Sequence, residues 1–366
     1  MTNWCAAAFG LLSFESMFRH LLAIAVITIL AAGFADAHPK EYLKQPDAWF
    51  ASDEARQIAE NILSFQNDLG GWPKNQNTTA SRYAGKRQDL KPIYDNGATT
   101  DELRYLARIY QATHEPKYQA AFDRGFNYVL IGQYRNGGWP QSYPPGPKYP
   151  RHITFNDDAM VRLMVFLREV AHANLYEFVD PARRQIAQTA FDRGIVCILK
   201  CQIHVNGRRT VWCAQHDEVD FQPRPARSYE LPSFSGAESV GITRLLMELD
   251  NPSPEVIQAV EAAVAWFESS RLTGIKIVVE SDSQSPKGTN KVVVSDPQAP
   301  PLWARFYDLE NQQPLFVDRD GVPKSSLAEI GYERRNGYAW YGNWPQKLIE
   351  VDYPAWKAKL AIPAKP

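Results

Sequence analysis

Apolar residues recur every three to four positions along most of the chain, in two styles. In the first, one stripe is apolar and the opposite face is polar, the mark of a helix with a single buried side. Ala55, Ile58, Ala59, Ile62 and Leu63 form such a stripe, with Arg56, Gln57, Glu60 and Asn61 facing away. Ser52 precedes it as an N-cap, with Asp53 and Glu54 in the first turn. The style returns with Tyr118, Ala121, Phe122, Gly125 and Val129, then with Ile186, Ala187, Ala190, Phe191, Gly194 and Ile195. Its fourth copy is Val256, Ala259, Val260, Ala263, Val264 and Phe267. In the second style apolar residues occupy most of the circumference, as in Ala159, Met160, Leu163, Met164, Leu167, Val170 and Ala171, with Val161, Val165 and Phe166 on the far side. Asp101 through Leu106, Ala107, Ile109 and Tyr110, and a segment from near Ser235 through Val240, Ile242, Leu245 and Leu246, read the same way. The two styles alternate. One-sided helices outside and all-round helices inside predict an all-α dominated fold, an α/α toroid of helix hairpins.

A phrase joins the helices. Gln66-Asn67-Asp68-Leu69-Gly70-Gly71-Trp72-Pro73-Lys74-Asn75 returns as Gln133-Tyr134-Arg135-Asn136-Gly137-Gly138-Trp139-Pro140-Gln141-Ser142, and more weakly as Gln202 to Gly207 with Trp212 following. A period near 70 is long for a solenoid of short repeats and suits a helix hairpin with a long connection. Past residue 271 the texture changes. Ile275 to Glu280 and Lys291 to Ser295 are β-branched runs flanking a polar stretch, which predicts a small β-hairpin. Long irregular loops follow, dense in aromatic and cationic residues near Glu333 to Tyr341.

The toroid has a chemical consequence. Parallel inner helices would open their N-termini at one end, gathering Asp95, Asp101, Glu102, Asp157, Asp158 and Glu238, with Asn96 and Asn156 beside them. Any one of these acids has a simpler reading: Asn156 or Asp157 would cap its helix by accepting from free backbone N–H groups. Together they would repel one another unless cations sit among them. Calcium prefers such oxygen ligands. Arg227 lies in a segment that leads into the third inner helix, and Arg305 and Arg319 occupy aromatic or loop settings. Each alone reads as a surface arginine with a packed stem. Facing the acidic mouth, they describe a site for an anionic substrate, since arginine matches a carboxylate with a bidentate fork.

Composition narrows the partners and the address. Arg19 and His20 precede an apolar run, Leu21 to Ala32, and Ala35-Asp36-Ala37 supplies a small-residue cleavage site. Residues 1–37 therefore read as a signal peptide, with Met17 as an alternative start, and the remainder as one domain that is secreted or periplasmic. The run is too short for a comfortable membrane span, so no membrane association is expected after processing. The net charge is −1; removing one arginine and two acids with the signal leaves zero, unlike a nucleic-acid binder. Cys197, Cys201 and Cys213 would remain. Cys201–Cys213 would bracket a turn and is the candidate disulfide in an oxidising compartment, whereas Cys197 and Cys201 on one helix are badly placed to bridge. No zinc spacing occurs. Gln215-His216-Asp217 invites a His–Asp dyad, but no nucleophile elbow accompanies it. Trp72, Trp139, Trp303 and Tyr338 are expected to divide between the core and a sugar-facing surface.

Six motifs in order resemble the family-10 polysaccharide lyases, which are pectate lyases. They are Gly70 to Asn75, Asp95-Asn96-Gly97-Ala98-Thr99, Phe155-Asn156-Asp157-Asp158, Ala226 to Ser233, Pro301 to Tyr307 and Arg334 to Tyr341. The resemblance runs from about Phe50 to about Leu360 and implies an α/α toroid that cleaves polygalacturonate by calcium-assisted β-elimination. It also implies Asp95 and Asp157 as calcium ligands and Arg227 as the base. Arg305, Arg319, Lys74 and Trp303 carry over as substrate-binding residues, and a monomer is expected. Ser228 and Phe234 stand where the family has Ala and Leu, both mild changes. The competing readings are a glycoside hydrolase on the same ring, using two mouth carboxylates, and an exported pectin-binding protein without catalysis.

Overall fold

Helix hairpins build the molecule, whose computed structural model describes residues 38–361. The expected signal segment, 1–37, lies outside the described residues. The one-sided stripes become α1 (Asp53–Ser64), α3 (Pro116–Ile131), α5 (Pro181–Cys201) and α7 (Pro254–Ser269). The all-round patterns become α2 (Thr100–Thr113), α4 (Ala159–His172) and α6 (Glu238–Met247). α2 packs on α3, α4 on α5 and α6 on α7. Inner neighbours also touch, α2 with α4 and α4 with α6, as do the outer pairs α1 with α3 and α5 with α7. This is the toroidal layering that the hydrophobic pattern predicts. The outer helices start by simple local rules. Ser52 Oγ accepts the Ala55 N–H at 3.2 Å, while α3, α5 and α7 begin at Pro116, Pro181 and Pro254, where proline's missing N–H costs nothing.

The repeated phrase has a physical reason. Gln66 Nε2 donates to Gly70 O in its own loop and to Ala121 O on the next outer helix, both at 2.8 Å. Gln133 does the same with Gly137 O and Ala190 O, at 3.0 and 2.8 Å. Gln202 reaches Thr210 O and Ala259 O, both at 2.9 Å. The tryptophan closes the other side. Trp72, Trp139 and Trp212 donate their indole N–H to Ile62 O, Val129 O and Ile198 O near the ends of α1, α3 and α5, at 2.7, 2.9 and 2.8 Å. Gly70 and Gly137 adopt φ of +107° and +96°, and a Cβ there would lie 2.3 and 2.0 Å from the carbonyl oxygens of Arg124 and Arg193. Only glycine lets the loop come that close. In the third copy Gly207 also has a positive φ, +77°, but a Cβ there would meet nothing within 4 Å, so the close approach to the next helix that constrains the first two copies is absent.

Trp303 is a fourth member of the series: its indole N–H donates to Phe267 O near the end of α7 at 2.7 Å. Trp72, Trp139 and Trp303 are all fully buried. Of the four aromatics expected to divide between core and surface, only Tyr338 keeps an accessible edge.

The predicted hairpin is present as β1 (Ile275–Ser281) and β2 (Thr289–Ser295), with Val278 opposite Val292. The remaining strand pairings are two residues long; among them Phe306–Tyr307 on Phe234–Ser235 fastens a C-terminal loop to the segment entering α6, and Trp303–Ala304 on Tyr341–Gly342 ties two C-terminal loops together. The Cys201–Cys213 bridge is not formed. Cys197, Cys201 and Cys213 are free and buried, and burial raises the Cys201 and Cys213 thiols.

Trp139→Phe keeps most of the ring volume but leaves the Val129 carbonyl without its indole donor. We expect a loss of about 1–3 kcal/mol, the cost of an unsatisfied buried polar group, read as a lower denaturant midpoint with unchanged slope.

Candidate active site

Two short helical turns precede the inner helices and lie against one another: Asp95–Gly97 before α2 and Asn156–Asp158 before α4. Both turns contain left-handed residues, Asn96 at φ +55°, Asp157 at +51° and Asp158 at +60°. Asn and Asp tolerate this region better than other side-chain-bearing residues. The expected N-cap at Asn156 or Asp157 is absent, for no side chain caps α4; Asn156 Nδ2 donates instead to Asp157 Oδ2 at 2.8 Å.

The six gathered acids divide by partner. Glu102 is buried, accepts the Thr99 N–H at 2.8 Å and the Thr78 hydroxyl at 3.0 Å, and burial lifts its pKa to about 8. It belongs to the frame of α2. Asp101 pairs with Arg104 at 3.4 Å. Asp95 is almost wholly buried. Its Oδ2 takes the Lys74 ammonium and the Gln141 amide, the latter at 3.2 Å, while its Oδ1 has no partner. The phrase explains this convergence: Lys74 and Gln141 each stand two residues after the repeated tryptophan. Asp158 is lifted to about 6, by burial and then by the charge of Glu238.

Arg305 joins α4 to α6. Its Nη2 donates to Asp157 Oδ1 at 3.1 Å and also to Glu238. Its guanidinium lies 5.0 Å from the Tyr338 ring centre, and its buried Nε is unpartnered. Burial opposes the charge of Arg305, but Glu238 and Asp157 outweigh it and the group stays cationic. The loop seats it firmly: Arg305 N–H donates to Trp340 O at 2.7 Å, and Arg305 O accepts from Gly236 N–H at 2.9 Å.

Tyr338 carries the cluster to Arg227. The Arg227 guanidinium lies 4.9 Å from the Tyr229 ring and 5.9 Å from that of Tyr338. It forks onto Glu230, Nε to Oε2 at 2.7 Å and Nη2 to Oε1, and this contact raises its pKa above the usual arginine value. The Tyr338 hydroxyl donates to the same Glu230 Oε1 at 2.8 Å. Arg319 sits at the rim, exposed, bonded to Glu333 at 2.9 and 3.0 Å and 5.7 Å from the Tyr229 ring.

A chain of contacts runs from Asp157 through Arg305 and Tyr338 to Arg227. Lys74 pairs with Asp95 on the turn that packs against that of Asp157, and Arg319 reaches the far end of these contacts at Tyr229. Trp303 takes no part in them. The expectation that Trp303 touches substrate is corrected, because its indole is fully buried and bonded to Phe267. Sequence reasoning missed Glu230 and Arg334. The Arg334 guanidinium is buried over the Tyr229 and Tyr338 rings at 4.5 and 5.8 Å. Glu230 stands three residues from Arg227, a spacing at which a turn brings acid and base together.

His216 is a structural residue. It is fully buried, its Nε2 accepts the Cys213 N–H at 2.9 Å, and its Nδ1 lies 2.7 Å from Phe221 O. Nearby, His152, Asp217 and Glu218 hold ligand atoms within 4.8 Å of one another. Their carboxylates are already taken, Glu218 by Arg151 and His152, and Asp217 by Arg224.

A sequence profile of the pectic acid lyase family matches residues 66–349. The chain belongs to that family. The lyase is also similar to a solved family 10 polysaccharide lyase from Cellvibrio cellulosa, at 33% identity over 88% of this chain and 97% of that one, with a TM-score of 0.73. An aspartate-to-alanine mutant of the Cellvibrio enzyme, solved in complex with trigalacturonic acid, matches at 34% identity over 86% and 96%, again with a TM-score of 0.73. No match was found among curated proteins. Among the described residues of the lyase, no helix is long and apolar enough to cross a membrane.

Burial lowers the His216 pKa to about 4. The unfolded histidine takes up a proton near pH 6.5 and the folded one does not. Stability should therefore be full above about pH 6.5 and decline toward pH 4. Denaturant unfolding at pH 7 and pH 5 should show a smaller decline for His216→Gln than for the native chain.

Proposed function

We propose that this lyase cleaves polygalacturonate by calcium-assisted β-elimination, as an exported monomer, with Arg227 as the base. One observation carries the reading: the mouth holds an unspent acceptor and an unspent donor side by side in function. Asp95 Oδ1 is a buried carboxylate oxygen without a partner, and Arg305 Nε is a buried guanidinium N–H without one. A cation suits the first and a substrate oxygen the second.

The residues fit calcium. Asp95 and Asp157 would hold it with hard carboxylate oxygens: Asp95 Oδ1 is without a partner, while Asp157 would exchange its bond to Arg305 or Asn156 for the ion. Bound there, calcium would offset the substrate carboxylate and make the neighbouring C5 proton easier to remove. Arg305 is positioned to meet negative charge as it develops on that carboxylate, and Lys74 and Arg319 can bind further uronates of the chain. The reaction itself balances simply. The base takes the C5 proton, the C5–H electron pair becomes the C4–C5 double bond, and the C4–O bond breaks with its electrons on the departing oxygen, which gains a proton. Arg227 faces the same region over Tyr338. In the resting enzyme it is a cation held by Glu230, and it can accept a proton only after losing one. Activity should accordingly favour alkaline pH.

Polygalacturonate with calcium should give rising ultraviolet absorbance from a 4,5-unsaturated uronide, and a chelator should abolish it. A glycoside hydrolase would cut the polymer with no absorbance change. Arg227→Ala turning over near the native rate would remove Arg227 from the base role, whereas loss of turnover in Arg227→Lys at every pH supports it. Asp95→Asn should weaken calcium binding by about 10–100-fold, measured by titration calorimetry of the free enzyme.

A further inference from the structure

Arg227 is asked to be a base, yet Glu230 holds the proton on it. Glu230 contacts it three ways: with Oε2 on the backbone N–H at 3.1 Å, with Oε2 on Nε at 2.7 Å, and with Oε1 on Nη2. The Glu230 carboxylate is itself nearly buried, and its own backbone ties the turn shut, with Ala226 N–H donating to Glu230 O and Glu230 N–H to Arg227 O, at 3.0 and 2.8 Å. A second group reads the same carboxylate, for the Tyr338 hydroxyl donates to Oε1 from the far side. The groups facing Arg227 are then Glu230 from its own turn, Tyr229 beside it, and Tyr338 and Arg334 from the C-terminal loop. Among these groups of the described residues, Glu230 is the carboxylate.

We propose that Glu230 is a positioning residue that aims the Arg227 fork and sets the pH at which Arg227 gives up its proton, with the Tyr338 hydroxyl tuning Glu230 in turn. The inference rests on Arg227 being the base. Its logic is a chain of two bonds with opposite signs. A negative Glu230 holds the proton on Arg227, so neutralising Glu230 releases that proton at lower pH. The Tyr338 hydroxyl draws charge from Glu230, so removing it leaves Glu230 more negative and holds the proton to higher pH. The aim of the fork is a separate contribution, because Nε and Nη2 are both engaged and the remaining Nη1 is the nitrogen left to face a substrate.

The test is the pH dependence of kcat/KM on polygalacturonate, with calcium saturating, for the native chain, Glu230→Gln, Glu230→Asp and Tyr338→Phe. Thermal unfolding of each variant checks that it is folded. Glu230→Gln should displace the acidic limb to lower pH by about one to three units, the usual effect of an adjacent opposite charge. Tyr338→Phe should displace it upward by a fraction of that. Glu230→Asp, which keeps the charge but shortens the reach, should keep the native limb and lose kcat. Folded Glu230→Gln and Tyr338→Phe enzymes with the native limb overturn the proposal, as does displacement of both in the same direction. Should Arg227→Ala retain turnover, the base assignment fails first; should Arg227→Ala be inactive while the Glu230 limb stays put, only the present inference fails.

Discussion

The architecture depends on capturing the loose carbonyls of the outer helices. The last turn of any helix leaves carbonyl oxygens without partners, and burying them bare is costly. Here an indole N–H meets a carbonyl near the end of α1, α3, α5 and α7, and a glutamine amide reaches from each of the three loops to the next outer helix. Each loop is therefore bonded to two neighbours at once, and the hairpins are fixed in order around the ring. The inner helices inherit that order. The turns that open α2 and α4 accordingly lie against one another.

That constraint explains how acids and arginines from remote stretches meet. Lys74 and Gln141 come from consecutive copies of one phrase and converge on a single oxygen of Asp95. Arg305 arrives on a loop stapled to Phe234–Ser235 and Tyr341–Gly342 by short strand pairings, and it crosses from Asp157 to Glu238. Tyr338 is the shared surface: Arg305 covers its ring, Arg227 and Arg334 lie near it, and its hydroxyl serves Glu230.

Much of this was legible in the residues, and the failures have causes. Helix type follows from periodicity because burial on one side or on all sides leaves different patterns, so α1 to α7 could be read directly. The family motifs pointed to the acids and arginines. Trp303 was expected at the substrate from the resemblance alone, while its true partner, Phe267 O, is a main-chain atom with no sequence signature. Glu102 was counted among the acids at the mouth, but its bonds to Thr78 and Thr99 tie it to the frame of α2. The cap expected at Asn156 or Asp157 is absent because the chain enters α4 through the left-handed Asp157 and Asp158, and the Asn156 and Asp157 side chains bond each other instead. Glu230 escaped notice because its meaning lies in what Arg227 must do.

The guanidiniums around the mouth are already engaged. Arg227 has Glu230, Arg305 has Asp157 and Glu238, and Arg319 and Arg334 share Glu333. Each of these cations is matched by an anion at short range, which weakens its pull on a distant polyanion. On the proposed function, recognition would combine an exchange of partners at close quarters, each sugar acid competing with a resident carboxylate, with the donors still unengaged, such as Arg305 Nε. Association built on such exchange should be comparatively insensitive to ionic strength, and it favours a polymer over a single sugar, because many simultaneous swaps succeed where one does not.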